Sequence, residues 1–187
     1  MIFHGTELGG VFVLEPELRR DERGFFARLW CAEEFSARGL DARMMQASVS
    51  FNERSGTLRG MHLQLPPAAE TKVVRCTAGA IFDVVVDLRP DSPTFLCWTA
   101  AELTARNLRA LYIPEGCAHG FQTLAPASEV SYLISEFHRP ELATGVRWND
   151  DAFSIRWPDA SERTISERDR SYPNFDEVAF RSRRPSR

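Results

Sequence analysis

The feature that most constrains this chain of 187 residues is a succession of short apolar runs in which side chains alternate with a period of two. In IFDVVVDLR, Phe82 and Val84 fall on one face, and Asp83 and Val85 fall on the other, as in a β-strand. Similar runs follow at close spacing, separated by turns rich in Gly and Pro, and few segments have a helical period. The pattern predicts an all-β sandwich or barrel.

Length and charge predict one domain over residues 1–187, ending in a basic tail at 181–187 that we expect to be frayed. The net charge of −3 argues against nucleic acid or an anionic membrane surface as the main partner. No apolar run is long enough to span a bilayer, and the start of the sequence lacks a signal-peptide pattern. We therefore expect a cytoplasmic protein.

Three segments depart from the apolar alternation. CAEEFSARGL predicts a short helix closed by Gly39, and Ser166 is placed to cap a second short helix. PEGCAHG predicts a turn that carries His119. Gln46 and Ser48 begin a polar face on the run QASVSFN, which either faces water or lines a pocket.

Lys72 is the only lysine in a sequence whose other basic side chains, apart from four histidines, are arginines. Arginine stays protonated, whereas lysine is a compact charge whose pKa burial shifts readily. Lys72 follows a Pro-Pro break after GTLRGMHLQ, which carries Arg59, His62 and Gln64. We interpret Lys72 as functional; the alternative is a lysine left over in an arginine-rich sequence.

The remaining reactive side chains indicate proton transfer. A histidine on an inward-facing strand suits a general base, and a carboxylate on its other nitrogen holds the required tautomer. A tyrosine delivers a proton to the opposite face, and a lysine between them stabilises an oxyanion. This chemistry is proton exchange alpha to a ketone, although each side chain alone also has a structural explanation. The candidates are His62, Lys72, Asp83, His119, Tyr132 and Asp169.

A metal site is the second interpretation of the histidines. His62 in HxQ and His119 in PxGxxH resemble the two halves of a cupin metal site, which uses HxH, a carboxylate and a distant histidine. Gln64 replaces the second histidine, and Glu70 lies beyond the usual gap. We therefore expect no metal and no cofactor, and keep a metal-dependent cupin oxygenase as the alternative from another class.

Over nearly its whole length the sequence resembles the dTDP-4-dehydrorhamnose 3,5-epimerase family. The matching segments, in order, are DERGFF, GTLRGMHLQ, ETKVVRCTAGAIFDVVVDLRPDSPTF, LYIPEGCAHGFQTL, GVRWNDDAF and ISERDR. The resemblance implies a cupin-type β-jelly-roll with a few short helices. It also implies a homodimer that exchanges N-terminal strands, and a nucleotide sugar, with a dTDP-sugar expected, as substrate.

The resemblance further implies a role for individual residues. His62 matches the general base, Asp169 its carboxylate partner, Tyr132 the proton donor, and Lys72 the group beside the 4-keto oxygen. We expect Asp83, on the same inward face, to support Lys72. The implied substrate contacts are Arg23, Gln46, Ser48, Arg59, Lys72, His119, Arg168 and His138.

Seven positions depart from the family pattern, three of them being Leu63 for a tyrosine and Leu133 and Arg168 for lysines. Arg28 replaces a glutamate, and Ser48 replaces an asparagine. His138 replaces the aromatic that stacks on thymine, and Ala143 replaces a glutamate near the nucleotide. The catalytic set is retained, while the groups that face the nucleotide are changed. We therefore expect epimerisation of an NDP-4-keto-6-deoxyhexose by proton abstraction alpha to the ketone.

Three other functions stay open. One is an enzyme that inverts only C3 or only C5, and another is a 3,4-ketoisomerase acting on a different nucleotide sugar. The third is a nucleotide-sugar binder without activity, although a binder has no need of a histidine paired with a carboxylate.

Overall fold

The computed structural model describes residues 1–182 and consists mainly of short strands. The strands are β1 (Ile2–Gly5), β2 (Phe12–Glu15), β3 (Arg19–Asp21), β4 (Gly24–Phe26), β5 (Gln46–Asn52), β6 (Thr57–Gln64), β7 (Lys72–Ala78), β8 (Ala80–Asp87), β9 (Trp98–Thr104), β10 (Ala110–Ile113), β11 (Cys117–Thr123), β12 (Ser128–Ile134), β13 (Ala143–Gly145) and β14 (Thr164–Ile165). The helices are α1 (Ala32–Ser36), α2 (Glu167–Arg170) and α3 (Glu177–Ser182). None of the helices in this described part is long and apolar enough to cross a membrane.

Two sheets pack face to face. The first has the strand order β1-β2-β10-β7-β12-β5, and the second has the order β13-β6-β11-β8-β9 with β14 beside β6. Strands β3 and β4 form a separate hairpin. Because neighbours in each sheet come from distant parts of the chain, the topology is that of a double-sheet jelly roll. The predicted all-β jelly roll with a few short helices is confirmed.

The alternation along β8 divides the core in two. Ile81 and Val85 point between the sheets, where they join the main cluster of buried apolar residues. Val84 and Val86 point the other way and are also fully buried, because residues such as Phe153 from the C-terminal part of the chain cover that face. The predicted faces of this strand are confirmed.

Both predicted helices are present and short. Gly39, with a φ of +69°, lets the chain reverse after α1, since glycine adopts this conformation without strain. Ser166 caps α2, as expected, and its hydroxyl oxygen accepts a hydrogen bond of 3.1 Å from the backbone N–H of Asp169. The cap fixes the position of Asp169 relative to the sheets.

Two local predictions are wrong. His119 does not lie in a turn, because β11 begins at Cys117 and its register places His119 opposite His62 of β6. The basic tail begins later than expected, since positions 181 and 182 belong to α3. The rest of the predicted tail, 183–187, lies outside the described residues.

A buried carboxylate fastens the loop that follows β8. Asp87 is fully buried and accepts hydrogen bonds of 2.8 Å from two guanidinium nitrogens of Arg89, and of 2.5 and 2.7 Å from the hydroxyls of Ser92 and Thr94. Burial alone raises the pKa of this carboxyl, but these hydrogen bonds outweigh burial and lower the pKa of Asp87 from 3.8 to about 2.

We predict that Asp87→Asn lowers the free energy of unfolding by about 2 kcal/mol at pH 7. A depressed folded-state pKa stabilises the protein above the unfolded pKa of about 3.9, and this contribution is lost as the pH falls towards 2. Urea denaturation at pH 7 and pH 3 should therefore show a difference between wild type and variant that narrows in acid. The exposed neighbour Asp91→Asn serves as the control, and a difference independent of pH would contradict the assignment.

Candidate active site

A cavity of about 370 Å³ opens between the two sheets. Strands β5, β7 and β12 form one wall, strands β6, β11 and β13 form the other, and α2 lies at its side. Nine of the predicted site residues line it: Gln46, Ser48, Arg59, His62, Lys72, His119, Tyr132, His138 and Arg168. The sequence pattern did not decide whether the polar face of β5 meets water or lines a pocket. In the structure this face lines the cavity.

His62 and Asp169 form a hydrogen-bonded pair. Nε2 of His62 lies 2.7 Å from Oδ1 of Asp169, and Oδ2 of Asp169 accepts the backbone N–H of Gly60 at 3.2 Å. Burial by itself raises the pKa of Asp169. The hydrogen bond and the charge of His62, together with the hydrogen bonds to Gly60 and Ser166, outweigh burial, so that the pKa of Asp169 is lowered. Asp169 is thus an ionised partner that holds Nε2, and Nδ1 is left as the nitrogen that can exchange a proton.

Tyr132 stands on the opposite wall, on β12. Its hydroxyl is 3.3 Å from the hydroxyl of Ser50, and its ring packs edge-on against His119 with the centroids 6.2 Å apart. Burial, opposed by the bond to Ser50, raises the pKa of Tyr132 to about 12. At neutral pH the group is a protonated phenol, so it can donate a proton but cannot act as a base.

Lys72 enters the cavity from β7 and is largely buried. Its Nζ lies 2.7 Å from Oε1 of Glu70, and each side chain is 10% exposed. The ion pair compensates the burial of both charges and fixes Nζ at the cavity wall. The contact to Glu70, rather than Asp83, is the direct support of Lys72.

Asp83 instead pairs with His119. Nε2 of His119 lies 2.7 Å from Oδ1 of Asp83, and both side chains are buried. Burial raises the pKa of Asp83, opposed by the charge and hydrogen bond of His119 and by the more distant charge of Lys72. The expected support of Lys72 by Asp83 is therefore limited to this long-range attraction.

Polar groups at the cavity mouth are held by the strands around them. Nε of Arg59 donates to Oδ1 of Asn52 at 2.8 Å, which fixes an exposed guanidinium at the rim. Oε1 of Gln46 accepts the backbone N–H of His138 at 2.8 Å, and this bond anchors the loop that carries the exposed His138. Arg168 adds a second positive charge from α2.

Arg23 is the one predicted site residue that this chain does not place near the cavity. It lies at the tip of the β3–β4 hairpin with its side chain 83% exposed, and its guanidinium pairs with Asp21. Within this chain Arg23 does not reach the cavity, and its contact with the substrate stays a prediction.

The residues considered as metal ligands have other partners. Gln64 donates to the carbonyls of Ala68 and Phe137, and its Oε1 accepts the backbone N–H of Arg139. Glu70 holds Lys72, as described above. Within residues 1–182 no group of three or more His, Cys, Asp and Glu side chains is arranged to hold a metal ion. The donor set does not fit a cupin metal centre.

Sequence reasoning missed two partners in the cavity. Ser50 contacts the hydroxyl of Tyr132, and Glu70 contacts Lys72. Glu70 lies two residues before Lys72, a spacing that places side chains on one side of an extended chain, and this was the available signal. Ser50 carried no such signal because its contact spans 82 residues.

A jelly roll with a histidine–carboxylate pair on one wall, and a protonated tyrosine and a buried lysine on the other, defines a class of enzyme. Such an enzyme removes a proton from carbon and returns one. The chain belongs to the dTDP-4-dehydrorhamnose 3,5-epimerase family, whose pattern it matches over residues 5–177.

Individual relatives agree with the family match. A dTDP-4-dehydrorhamnose 3,5-epimerase of Sinorhizobium fredii is 38% identical over 178 residues, which are 95% of this chain and 91% of the relative. The crystal structure of the Elizabethkingia anophelis enzyme of that name superposes with a TM-score of 0.91 at 36% identity, covering 94% of this chain and 96% of that chain.

A second solved structure carries a sugar nucleotide. It is the dTDP-6-deoxy-D-glucose-3,5-epimerase of Legionella pneumophila in complex with dTDP-4-keto-L-rhamnose, and its TM-score is 0.85 at 32% identity. The similarity covers 90% of this chain and 89% of that chain.

We predict that Gly60→Ala disrupts the site by separating β6 from β11. Gly60 has a φ of +127°, and an added Cβ would lie 2.6 Å from Cα of Gly120 and 2.9 Å from the carbonyl oxygen of His119. We expect a loss of at least about 2 kcal/mol in the free energy of unfolding, measured by urea denaturation, with lower activity in the folded fraction. Gly5→Ala, where an added Cβ meets nothing within 4 Å, is the matched control. Equal stability of the two variants would contradict the close packing.

Proposed function

We propose that this protein epimerises a dTDP-4-keto-6-deoxyhexose by removing and replacing protons on carbons next to the ketone. The observation that carries the proposal is the pairing of His62 with Asp169 across the cavity from a protonated Tyr132. Family membership and the sugar nucleotide bound by the Legionella relative support the substrate class.

His62 is the proposed base. Asp169 occupies Nε2, so Nδ1 takes the proton from the carbon alpha to the ketone, and the imidazolium that forms is stabilised by the ionised carboxylate. Its side chain is 40% exposed, which lets a substrate in the cavity reach it.

Lys72 stabilises the intermediate. Removal of the proton leaves an enolate whose negative charge develops on the former ketone oxygen. The buried ammonium of Lys72 is already fixed by Glu70, so it meets this charge with little reorganisation.

Tyr132 completes the inversion. Its phenol donates a proton to the carbon face opposite His62, which gives the inverted ketone and a tyrosinate. The imidazolium then loses its proton and the tyrosinate regains one, directly or through solvent, so the enzyme is restored. The same groups can act at C3 and at C5 if the sugar ring flips in the cavity between the two epimerisation steps.

The rim supplies binding groups for the rest of the substrate. Arg59 and Arg168 offer positive charge for the diphosphate. Gln46, Ser48 and His138 line the same cavity and are the proposed contacts of the nucleoside. We propose that residues 1–187 form one catalytic domain of this kind, supported by the two packed sheets of the described part. The cytoplasmic location stays a prediction.

A homodimer is the proposed assembly. Strand β5 lies at the edge of its sheet and exposes Val49 and Phe51, and the β3–β4 hairpin exposes Phe25 and Phe26. A second copy would cover these apolar side chains. The hairpin of that copy would then bring Arg23 to the cavity mouth, which it does not reach within its own chain.

We predict deuterium incorporation when dTDP-4-keto-6-deoxyglucose is incubated with the protein in D₂O. Mass spectrometry should show two deuterons if both C3 and C5 exchange, and one if only a single position does. His62→Asn should slow exchange by roughly 10²–10⁴-fold, because no base remains. Tyr132→Phe should slow formation of the inverted sugar more than exchange, because the base still removes and returns the proton on one face.

Tyr112→Phe is the matched control, since this tyrosine is buried away from the cavity and its hydroxyl accepts the backbone N–H of Asp41. Rapid exchange by His62→Asn would contradict the proposed base. No exchange by folded wild type, with this nucleotide or another, would contradict the proposed function.

We predict that two impaired variants restore activity when mixed. Arg23→Ala lacks the exchanged contact and His62→Asn lacks the base, so a mixed dimer has one intact site composed of His62 from one copy and Arg23 from the other. Equal amounts, refolded together, should recover about a quarter of wild-type activity, since about half of the dimers are mixed and half of their sites are intact. Refolding each variant alone is the control, and no recovery in mixed dimers verified by mass spectrometry would contradict exchange.

A further inference from the structure

Tyr172 packs behind the proposed base without lining the cavity. Its ring centroid lies 6.4 Å from that of His62, and the two rings are inclined by 66°, an edge-to-face arrangement. Such contacts restrict the orientations that a side chain can adopt. No step of the proposed reaction uses Tyr172.

The backbone beside His62 is shaped to admit this ring. Gly145 on β13 is the cross-strand neighbour of His62 on β6. A Cβ added to Gly145 would lie 2.5 Å from Cζ and 2.6 Å from Cε2 of Tyr172. The ring of Tyr172, together with the backbone carbonyl oxygen of Met61, therefore occupies the space that a side chain at 145 would need.

Tyr172 and Asp169 are positioned by one short element. Ser166 caps α2, Asp169 projects from it to Nε2 of His62, and Tyr172 follows its last turn. His62 is thus held by a carboxylate on one nitrogen and by an aromatic edge-to-face contact, both supplied by the same turn of chain.

The hydroxyl of Tyr172 does not explain this placement. It is buried and has no hydrogen-bond partner of normal geometry among the described residues. Burial raises the pKa of Tyr172, and the nearby guanidinium of Arg168 opposes this effect. The ring, rather than the hydroxyl, makes the contacts to His62 and Gly145.

We propose that Tyr172 is a positioning residue for the general base. Its ring keeps the imidazole of His62 in the orientation that bonds Asp169 and excludes water from that side of the pair. The inference rests on the proposed function, in which His62 removes the proton.

The test compares Tyr172→Ala with Tyr172→Phe in the D₂O exchange assay. The alanine variant should lose roughly 10-fold in kcat with KM changed less than twofold, since misplacing a catalytic group by about 1 Å costs up to 10²-fold. The phenylalanine variant, which keeps the ring, should recover most of this loss. Phe95→Ala is the control for loss of a partly buried aromatic, because its ring contacts Phe175 and Arg181 instead of His62.

A double variant separates positioning from general packing. On the His62→Asn background, Tyr172→Ala should cause no further loss of exchange, because the group it orients is already absent. A second full 10-fold loss there, an effect on KM alone, or failure of Tyr172→Phe to recover activity would overturn the inference.

Two further outcomes are distinguishable. If Tyr172→Ala does not fold, Tyr172→Leu keeps apolar volume and should show the same loss of kcat; normal kcat in that variant would overturn the inference. If His62→Asn itself exchanges at the wild-type rate, the proposed function fails as well. Loss in His62→Asn with wild-type kcat in Tyr172→Ala overturns only the role of Tyr172.

Discussion

Charge removed from water needs a partner, and this constraint governs the space between the two sheets. An isolated ion in an apolar interior costs several kcal/mol or more, and three ionisable groups that line the cavity each have a carboxylate partner. His62 is paired with Asp169, Lys72 with Glu70, and His119 with Asp83. Each pair joins a group on a sheet to a carboxylate that fixes its position. The cavity therefore has polar walls within a jelly roll that is otherwise filled with apolar side chains.

The sequence predicted what local pattern determines. Alternation predicted the strands, and Ser166 predicted the start of α2, because a strand face and an N-cap each depend on residues a few positions apart. His119 was misplaced because the Pro and Gly before it signal a turn, whereas pairing with β8 extends the strand back to Cys117. Partners joined across the fold, such as Ser50 and Tyr132, left no trace in local spacing.

The site residues were found for a different reason. Nothing in the spacing of His62, Lys72 and Tyr132 shows that they meet. Their chemistry made them candidates, the family resemblance implied their roles, and the cavity brings them together. Arg23 shows the limit of that transfer, since it matches the family pattern but lies away from the cavity within this chain. Strand β5 contributes both to the cavity and to the exposed apolar surface. One of its faces lines the cavity, and the other exposes Val49 and Phe51.

The separation of His62 from Asp169 along the chain, 107 residues, has a consequence for how the protein is made. A ribosome that has released β12 has delivered His62, Lys72 and Tyr132, and strands of both sheets can already pair. The carboxylate of Asp169 arrives only with α2, which follows all fourteen strands of the described residues. A nascent chain can thus bury the apolar cluster between the two sheets before Asp169 reaches His62, so pairing of the sheets can precede formation of this hydrogen bond.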